Sequence, residues 1–488
     1  MKLKVKKINL NTGGPFVVVL NEDDARLMDI RPLDRVEVRG AEAIVDIAKS
    51  DHRAAVKSGE IGFLIETFEN LKVKPRRFVN IVPAKKPESL QYIKKKLDRN
   101  KLNEDEINAI IKDVVRNRLS ETELTYFVGG CYDVGLDMDE IVYLTKAIVA
   151  HGGKLNLGKK IILDKHCAGG LAGNRTSIVI VPIIAAAGYT IPKTSSRGIS
   201  SASGTADTFE VLAPVSFNVQ ELTKIVKKIN CCLVWGGATG MASADDRLIK
   251  LEKLLGLDPP GLLLASIMAK KMSVGATHVL VDIPCGKEAK IKTMERALHL
   301  KRQFLELSKR LGIKVRVIIT DGSQPIGKGI GPSLEAKDVV DVLKGNGPFD
   351  LRDKSLYMAG IMLEMAGEKE GIKKAKEILD SGLAYKKFLE IIKVQGGSVS
   401  KISNIKFGRF KRDFFANKSG IVKRINNSKA NSIARMAGAP DDKFAGILLN
   451  VRKNSKVKKR DLIFTIYSSS NDRLRYASDG VEGFIEID

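Results

Sequence analysis

The period of hydrophobic and polar positions changes several times along the chain. In residues 1–84, "KVKKINL", "FVVVL", "RVEVRG" and "AIVDIA" are short, apolar-alternating runs punctuated by Gly and Asp, which predicts a small β-rich domain. "NEDDARLMDI" interrupts them with a short helix carrying acidic residues in its first turn, where the helix dipole favours them. "VPAKKPES" then predicts a linker. From Glu88 the period becomes helical, with about four amphipathic helices in a domain over 85–158. Asn103 with Glu106 and Ser120 with Glu123 have capping-box spacing. In 159–400, "KIILDKH", "HVLVDIP" and "VRVIITD" alternate with helical stretches, the pattern of a mainly parallel sheet, before helices return over 335–395. The tail, 401–488, is a small α+β lobe. The expected fold class is therefore α/β with α+β additions.

Composition narrows the class. A chain of 488 residues exceeds one ordinary core, and 44% hydrophobic with 28% charged residues is the balance of a soluble globular protein. No apolar run has bilayer-spanning length, and the basic, alternating start lacks the core of a secretory leader, so the cytoplasm is the expected location. The five cysteines are odd in number and form no CxxC pair, which argues against a disulfide framework or a zinc site. Cys231 and Cys232, in "KINCCLVWGG", are expected as buried core thiols. Lys and Arg total 82 against 57 Asp and Glu, a net +25. That suits nucleic acid, anionic small substrates, or a salty or hot cytoplasm. The charges are dispersed, no nucleic-acid motif accompanies them, and 6% aromatics offer few stacking platforms, so nucleic-acid binding is disfavoured as the main role.

Three stretches carry chemistry. "DKHCAGGLAGNRTS" (164–177) follows an apolar strand and precedes the apolar "IVIVPIIAAAG". Small residues there let N–H groups approach an anion, with Lys165, Ser177 and the Gly169–Gly170 backbone as donors; a tight turn alone would look the same. In "KTSSRGISSASGTAD" (193–207), seven of fifteen residues are Ser or Thr. Hydroxyls donate to phosphate without bulk, and Arg197 can hold a phosphate bidentately. Core-like flanks argue against a flexible linker. In "LDPPGLLLASIMAKK", Asp258 precedes a helix that it could simply cap, and Ser266 and Lys270 share a helix face. Lys290 follows the strand "HVLVDIP" and a glycine turn.

Together, "KHCAGGLAGNRTS", "SSRGISSASGTAD" and "ASIMAKK" resemble the thymidine phosphorylase, or class II nucleoside phosphorylase, superfamily. The "GNRT", "IPKTSSR", "LVWGG" and "LDPP" segments resemble its archaeal AMP phosphorylase branch, and the likeness extends over essentially the whole chain. The resemblance implies nucleotide binding through Gly170, Ser196, Arg197, Gly198, Ile199, Ser200, Ser201, Thr205, Ser266 and Lys290, with Asp258 as proton donor. The wider superfamily implies phosphate contacts near Lys165, Ser177, Ser195 and Thr205. Cys167 departs from the pattern, since a Ser is usual there.

The implied substrates are AMP and inorganic phosphate, with no metal or other cofactor, and the implied assembly is a homodimer or larger homo-oligomer. Adenine is a poor leaving group, so the base must be protonated as it departs. A carboxyl at the reference pKa of about 3.9 is ionised at neutral pH, so Asp258 needs burial or hydrogen bonding to serve as an acid. A pyrimidine nucleoside phosphorylase and a basic nucleic-acid-binding protein are the alternatives. An anthranilate-phosphoribosyltransferase-like enzyme shares much of the architecture but would need a diphosphate–metal site, for which the sequence offers no acidic motif.

Overall fold

The alternation in the first 84 residues closes into a barrel. The computed structural model describes residues 1–11, 16–50, 55–198 and 201–488. Strands β1 (Lys2–Lys7), β2 (Val17–Asn21), β3 (Arg35–Val38), β4 (Ala41–Ala48), β5 (Glu60–Phe63) and β6 (Phe78–Pro83) pair in the closed order β1-β5-β2-β4-β3-β6. Alternate residues point inward, so Leu3 and Val5, Val18 and Leu20, Val36 and Val38, Ile61 and Phe63, and Val79 and Ile81 form one core. The expected short helix is Glu22–Leu27, capped by Asn21, whose side chain accepts the Asp23 N–H.

The helical segment forms Ser89–Leu97, Glu104–Val115, Glu121–Asp133 and Met138–His151. Both expected capping boxes are present, Asn103 with Glu106 and Ser120 with Glu123, and each such N-cap stabilises its helix by about 1 kcal/mol. Lys96 and Glu140 pair at 2.7 Å while almost fully buried. Glu140 also accepts the N–H groups of Leu102 and Asp137, so the buried charge is fully partnered. A fifth helix, Ser243–Leu255, joins from far along the chain: Arg247 donates to the carbonyls of Val114 and Leu119, and Lys250 pairs with Glu121. Met1–His151 and Ser243–Ser266 thus make one unit.

The other unit comprises Gly152–Ala242 and Ile267–Asp488. Its sheet contains β7 (Leu163–Cys167), β8 (Ile191–Ser195), β9 (Cys231–Trp235), β10 (His278–Cys285) and β11 (Lys314–Asp321). β10 runs parallel to β7 and β11, and β8 parallel to β9. A parallel bridge between Ile162 and Thr190 joins the two groups. Cys231 and Cys232 are buried in β9, as expected. The apolar "SIVIVPIIAAAG", equally compatible with a strand, is the helix Thr176–Ala186. It is buried from Thr176 to Ala185 because the helices Phe349–Met365 and Leu383–Val394 pack on it as well as β8 and β9. A helix apolar on every side belongs in a core.

The C-terminal lobe adds β12 (Gly329–Ile330), β13 (Phe410–Phe415), β14 (Gly420–Ile425), β15 (Gly446–Leu449), β16 (Lys456–Val457), β17 (Leu462–Ser468) and β18 (Ile485–Ile487). They form sheets ordered β12-β15-β17-β13 and β16-β14-β18. Against them packs the helix Asn427–Ala437, through Ala430, Ile433, Ala434 and Ala437. Among the described residues no helix is long and apolar enough to cross a membrane.

Candidate functional site

Because the five central strands are parallel, their carboxyl ends share one edge, the edge at which such sheets bind ligands. Three of the motifs singled out in the sequence leave from it. The glycine-rich turn follows β7, the Ser/Gly-rich loop follows β8, and the Gly286–Lys290 turn follows β10. The Lys290 N–H donates to the Gly169 carbonyl at 3.2 Å, tying the first of these turns to the third.

The glycine-rich turn leads into Thr176–Ala186 and directs that helix's N-terminus, with its unpaired N–H groups, to the same edge. Gly173 has φ +71, and a Cβ there would lie 1.9 Å from the Ile326 carbonyl oxygen, so no side chain fits. Gly170 is exposed, while Ser177 is buried.

Beneath the turn lies a set of buried charges. Lys165 donates from Nζ to Thr176 Oγ1 at 2.9 Å. Lys271 pairs with Asp164 at 2.5 Å, and Lys193 lies 3.6 Å from the same carboxylate while donating to the carbonyls of Lys165 and Thr194. Burial, reinforced by Lys271, brings Lys193 down to about 7. Burial also lowers Lys165, against the attraction of Asp282. Burial opposes ionisation of Asp282, but Lys165, Lys354 and Thr320 outweigh it and hold this carboxyl below its usual range. Desolvation, with Lys271, Lys193 and Lys165 nearby, holds half-buried His166 well below the ordinary imidazole value, so it is neutral at neutral pH. Cys167 is pushed up by burial and by Asp282, so it remains a thiol; its Sγ accepts from Asn174 Nδ2 at 3.2 Å.

The Ser/Gly-rich loop is held around Asp207. The N–H groups of Gly198 and Gly204 donate to Asp207 Oδ2 at 2.6 and 2.8 Å, and Arg197 Nη1 donates to Oδ1 at 2.9 Å. Arg197 also makes a two-pronged contact with Glu210, 2.8 Å on each prong, and lies 4.8 Å over the Trp235 ring. Hydrogen bonding to Arg197 draws Glu210 down to about 2. In this structure the bidentate partner of Arg197 is therefore the carboxylate of Glu210, at the end of the helix Thr205–Glu210 that follows the loop. Several hydroxyls likewise build the loop: Ser195 donates to the Val234 carbonyl, Ser201 to the Ser203 carbonyl, and Ser203 bonds Thr208 at 2.8 Å. Ser196 is exposed and Thr205 half-buried. Ile199 and Ser200 lie outside the described residues.

Partners that the motifs did not reveal hold both loops. Arg175 binds Glu335 and the Ser203 carbonyl, and Thr208 donates to Glu335 Oε2 at 2.8 Å, so one buried carboxylate links the two loops. From the C-terminal lobe, Asn427 Oδ1 accepts the Ala172 N–H at 2.7 Å and its Nδ2 donates to the Gly170 carbonyl at 3.3 Å. One helical turn later, Asn431 Oδ1 accepts the Ala202 N–H at 2.9 Å. Glu288 on the third turn accepts the Asn427 N–H and pairs with Arg424. Asp207 had a legible signal, since it stands three residues after Gly204 at capping-box spacing. Asn427, Asn431 and Glu335 had none, because their partners are 127 to 257 residues away.

The remaining predicted residues, Asp258 and Ser266, belong to the first unit. The helix Pro260–Ser273 starts with the Leu263 N–H bonded to the Pro259 carbonyl, so Pro259 takes the N-cap position and Asp258 stands one residue outside it. Asp258 is exposed and Ser266 is buried.

Residues 90–152 match the helical bundle domain of the glycosyl transferase family, and 159–385 match its α/β domain. Residues 421–488 match the pyrimidine nucleoside phosphorylase C-terminal domain. The crystal structure of anthranilate phosphoribosyltransferase from Thermus thermophilus superposes with a TM-score of 0.53 at 19% identity, covering 62% of this chain and 98% of that one, a likeness of fold. An AMP phosphorylase of Thermococcus sibiricus is 46% identical over 484 residues, spanning 98% of this chain and 95% of the relative. Those of Pyrococcus furiosus and Methanocaldococcus jannaschii are 44% and 43% identical, over 97% and 98% of this chain and 95% of each relative. With glycine- and serine-rich loops at the carboxyl edge of a parallel sheet, and with relatives this similar over nearly their full length, the chain belongs to the AMP phosphorylase family.

Proposed function

We infer that this protein is a pentosyltransferase that cleaves the glycosidic bond of AMP with inorganic phosphate, yielding adenine and ribose 1,5-bisphosphate. The near full-length identity to proteins named AMP phosphorylase carries the reading. In the reaction a phosphate oxygen bonds to the sugar C1′ while the C1′–N bond breaks with its electron pair going to the base. The sugar passes through a cationic, oxocarbenium-like state, so a phosphate anion held close to it both attacks and stabilises. The glycine-rich turn, with the helix N-terminus behind it, supplies N–H groups for that anion, and Ser195 and Thr205 serve the same role on the neighbouring loop. The nucleotide's own 5′-phosphate falls to Lys290 and to the N–H and hydroxyl groups of the 196–201 run, with Arg197 keeping that run in shape through Glu210 and Asp207. Asp258, exposed in this structure, takes the proton-donor role once the bound base shields its carboxyl from water.

Phosphate-dependent release of base from AMP, CMP and UMP, with adenosine and thymidine alongside, tests the reading. AMP should be turned over and the unphosphorylated nucleosides should be used poorly. Equal use of adenosine or thymidine would overturn the role given to the 5′-phosphate and favour a nucleoside phosphorylase. Asp258→Asn should lower kcat by about 10²-fold or more with little change in substrate binding. Near-normal turnover in that variant would remove Asp258 from the acid role.

A further inference from the structure

We propose that a basic groove on the N-terminal barrel is a second anion site, shaped for a run of phosphates with an unstacked base beside it. The phosphate loops leave much of the +25 charge without a function, and the barrel gathers part of it in one place. The groove encloses about 510 Å³ and is lined by Arg39, Lys72, Lys74, Arg77, Phe78 and Asn80, with Val73 and Val79 at its floor.

Two bonded turns present the cations. The β3–β4 hairpin turns at Arg39 and Gly40, with φ of 52° and 79°. Such left-handed two-residue turns ordinarily carry Asn or Asp ahead of Gly, not Arg. Arg39 Nη1 donates to the Lys72 carbonyl at 3.1 Å and so fixes the second turn, where Lys72 itself has φ 48°. That turn is anchored on β1 by the Arg76 N–H bonding the Val5 carbonyl and by the Val5 N–H bonding the Arg77 carbonyl.

Arg39, Lys72, Lys74 and Arg77 are all exposed, and among the described residues none of them is ion-paired. The lining contains no carboxylate. The strand register sets Glu37 opposite Val82, two residues past Asn80 and outside the groove. Four neighbouring cations without a counter-ion repel one another, and a multiply charged anion relieves that repulsion. Phe78 identifies which anion. The residue is 59% exposed, with Lys2 Nζ 5.4 Å from the ring centroid, and Asn80 shares its face of β6 two residues on. An exposed ring among cations is a platform on which a base stacks, and the Asn80 amide can both donate to and accept from a base edge. The shared chemistry is several phosphates next to a base. It is offered by a nucleoside triphosphate and by single-stranded RNA.

The test uses the full-length protein with two fluorescent probes, an ATP derivative and an adenine ribonucleotide decamer, titrated from 0.05 to 0.3 M salt. Each cation contacting a phosphate of a single strand contributes a salt slope of about 0.7. The triple variant Arg39→Gln, Lys74→Gln, Arg77→Gln should therefore show a slope shallower by about 2 and decamer binding about 100-fold weaker at 0.1 M salt. AMP phosphorolysis should be unchanged. Phe78→Ala should weaken both probes while leaving displacement by tripolyphosphate unaltered. Decamer binding that ATP does not displace assigns the groove to RNA, and mutual competition assigns it to nucleotides; either supports the proposal. Binding of neither probe, or triple-variant binding as tight as the parent's, overturns it. Should the triple variant fail to fold, unchanged binding of both probes by Phe78→Ala does the same.

Discussion

Asn427→Ala isolates the link between the C-terminal lobe and the glycine-rich turn. Asn427 is 5% exposed and Ala172 is 1% exposed, so removing Oδ1 leaves a buried N–H without its acceptor. That costs about 1–3 kcal/mol. Loss of the 3.3 Å bond to the Gly170 carbonyl adds little, because Gly170 is exposed and water can replace the donor. The Asn427 N–H keeps its bond to Glu288, so the helix stays docked and the damage is confined to the turn. If about 2 kcal/mol must be recovered each time the turn closes on its anion, kcat/KM falls about 30-fold. Denaturant unfolding and steady-state kinetics with phosphate as the varied substrate measure the two effects. Asn427→Asp retains the acceptor for Ala172 but sets a second carboxylate beside buried Glu288, so it should lower stability by like-charge repulsion and raise the KM for phosphate. An Ala variant with kcat/KM within twofold of the parent and unfolding free energy within about 0.5 kcal/mol would refute the reasoning.

Two further outcomes follow from the same unit. In Gly204→Ala the new Cβ would lie 2.4 Å from the Ser196 oxygen and 2.5 Å from the Arg197 carbonyl carbon. Backbone atoms cannot yield as a flexible side chain can, so the loop should open and kcat/KM should drop at least tenfold, read by kinetics beside a thermal melt that moves only a few degrees. Lys193 sits near 7 in the folded protein against an ordinary 10.5, so between these values the unfolded chain holds a proton that the folded chain has released. Stability contributed by this site therefore rises with pH through that window, by up to about 1.4 kcal/mol per pH unit. Lys193→Met should flatten the dependence of the denaturation midpoint between pH 7 and 10, and identical slopes in parent and variant would count against it.

Local signals were the legible ones. Asn103 and Ser120 announced their helices because the capping partners lie three residues away, and the parallel sheet was evident from its isolated apolar runs. "SIVIVPIIAAAG" stayed ambiguous because a helix buried on all sides has no polar stripe to betray its period. Within the site, residue type identified the loops but not the division of labour inside them. Ser and Arg look like phosphate donors in a sequence, yet Arg197, Ser201 and Ser203 have partners in their own loop or in the helix that follows it. That required knowing where Asp207 and Glu210 point. The contributions of Asn427, Asn431 and Glu335 depend on long-range tertiary contacts, which no local pattern records.

The Asn427 contact also sets a timetable. The ribosome adds Gly170 257 residues before it adds the Asn427 side chain that braces it. At translation rates of about 5–20 residues per second, that interval lasts about 13–50 s. A nascent chain thus carries the glycine-rich turn without its Asn427 bonds until the C-terminal lobe has emerged, and a product truncated before that lobe keeps the Glu335 link between the two loops but lacks the bonds from Asn427 and Asn431.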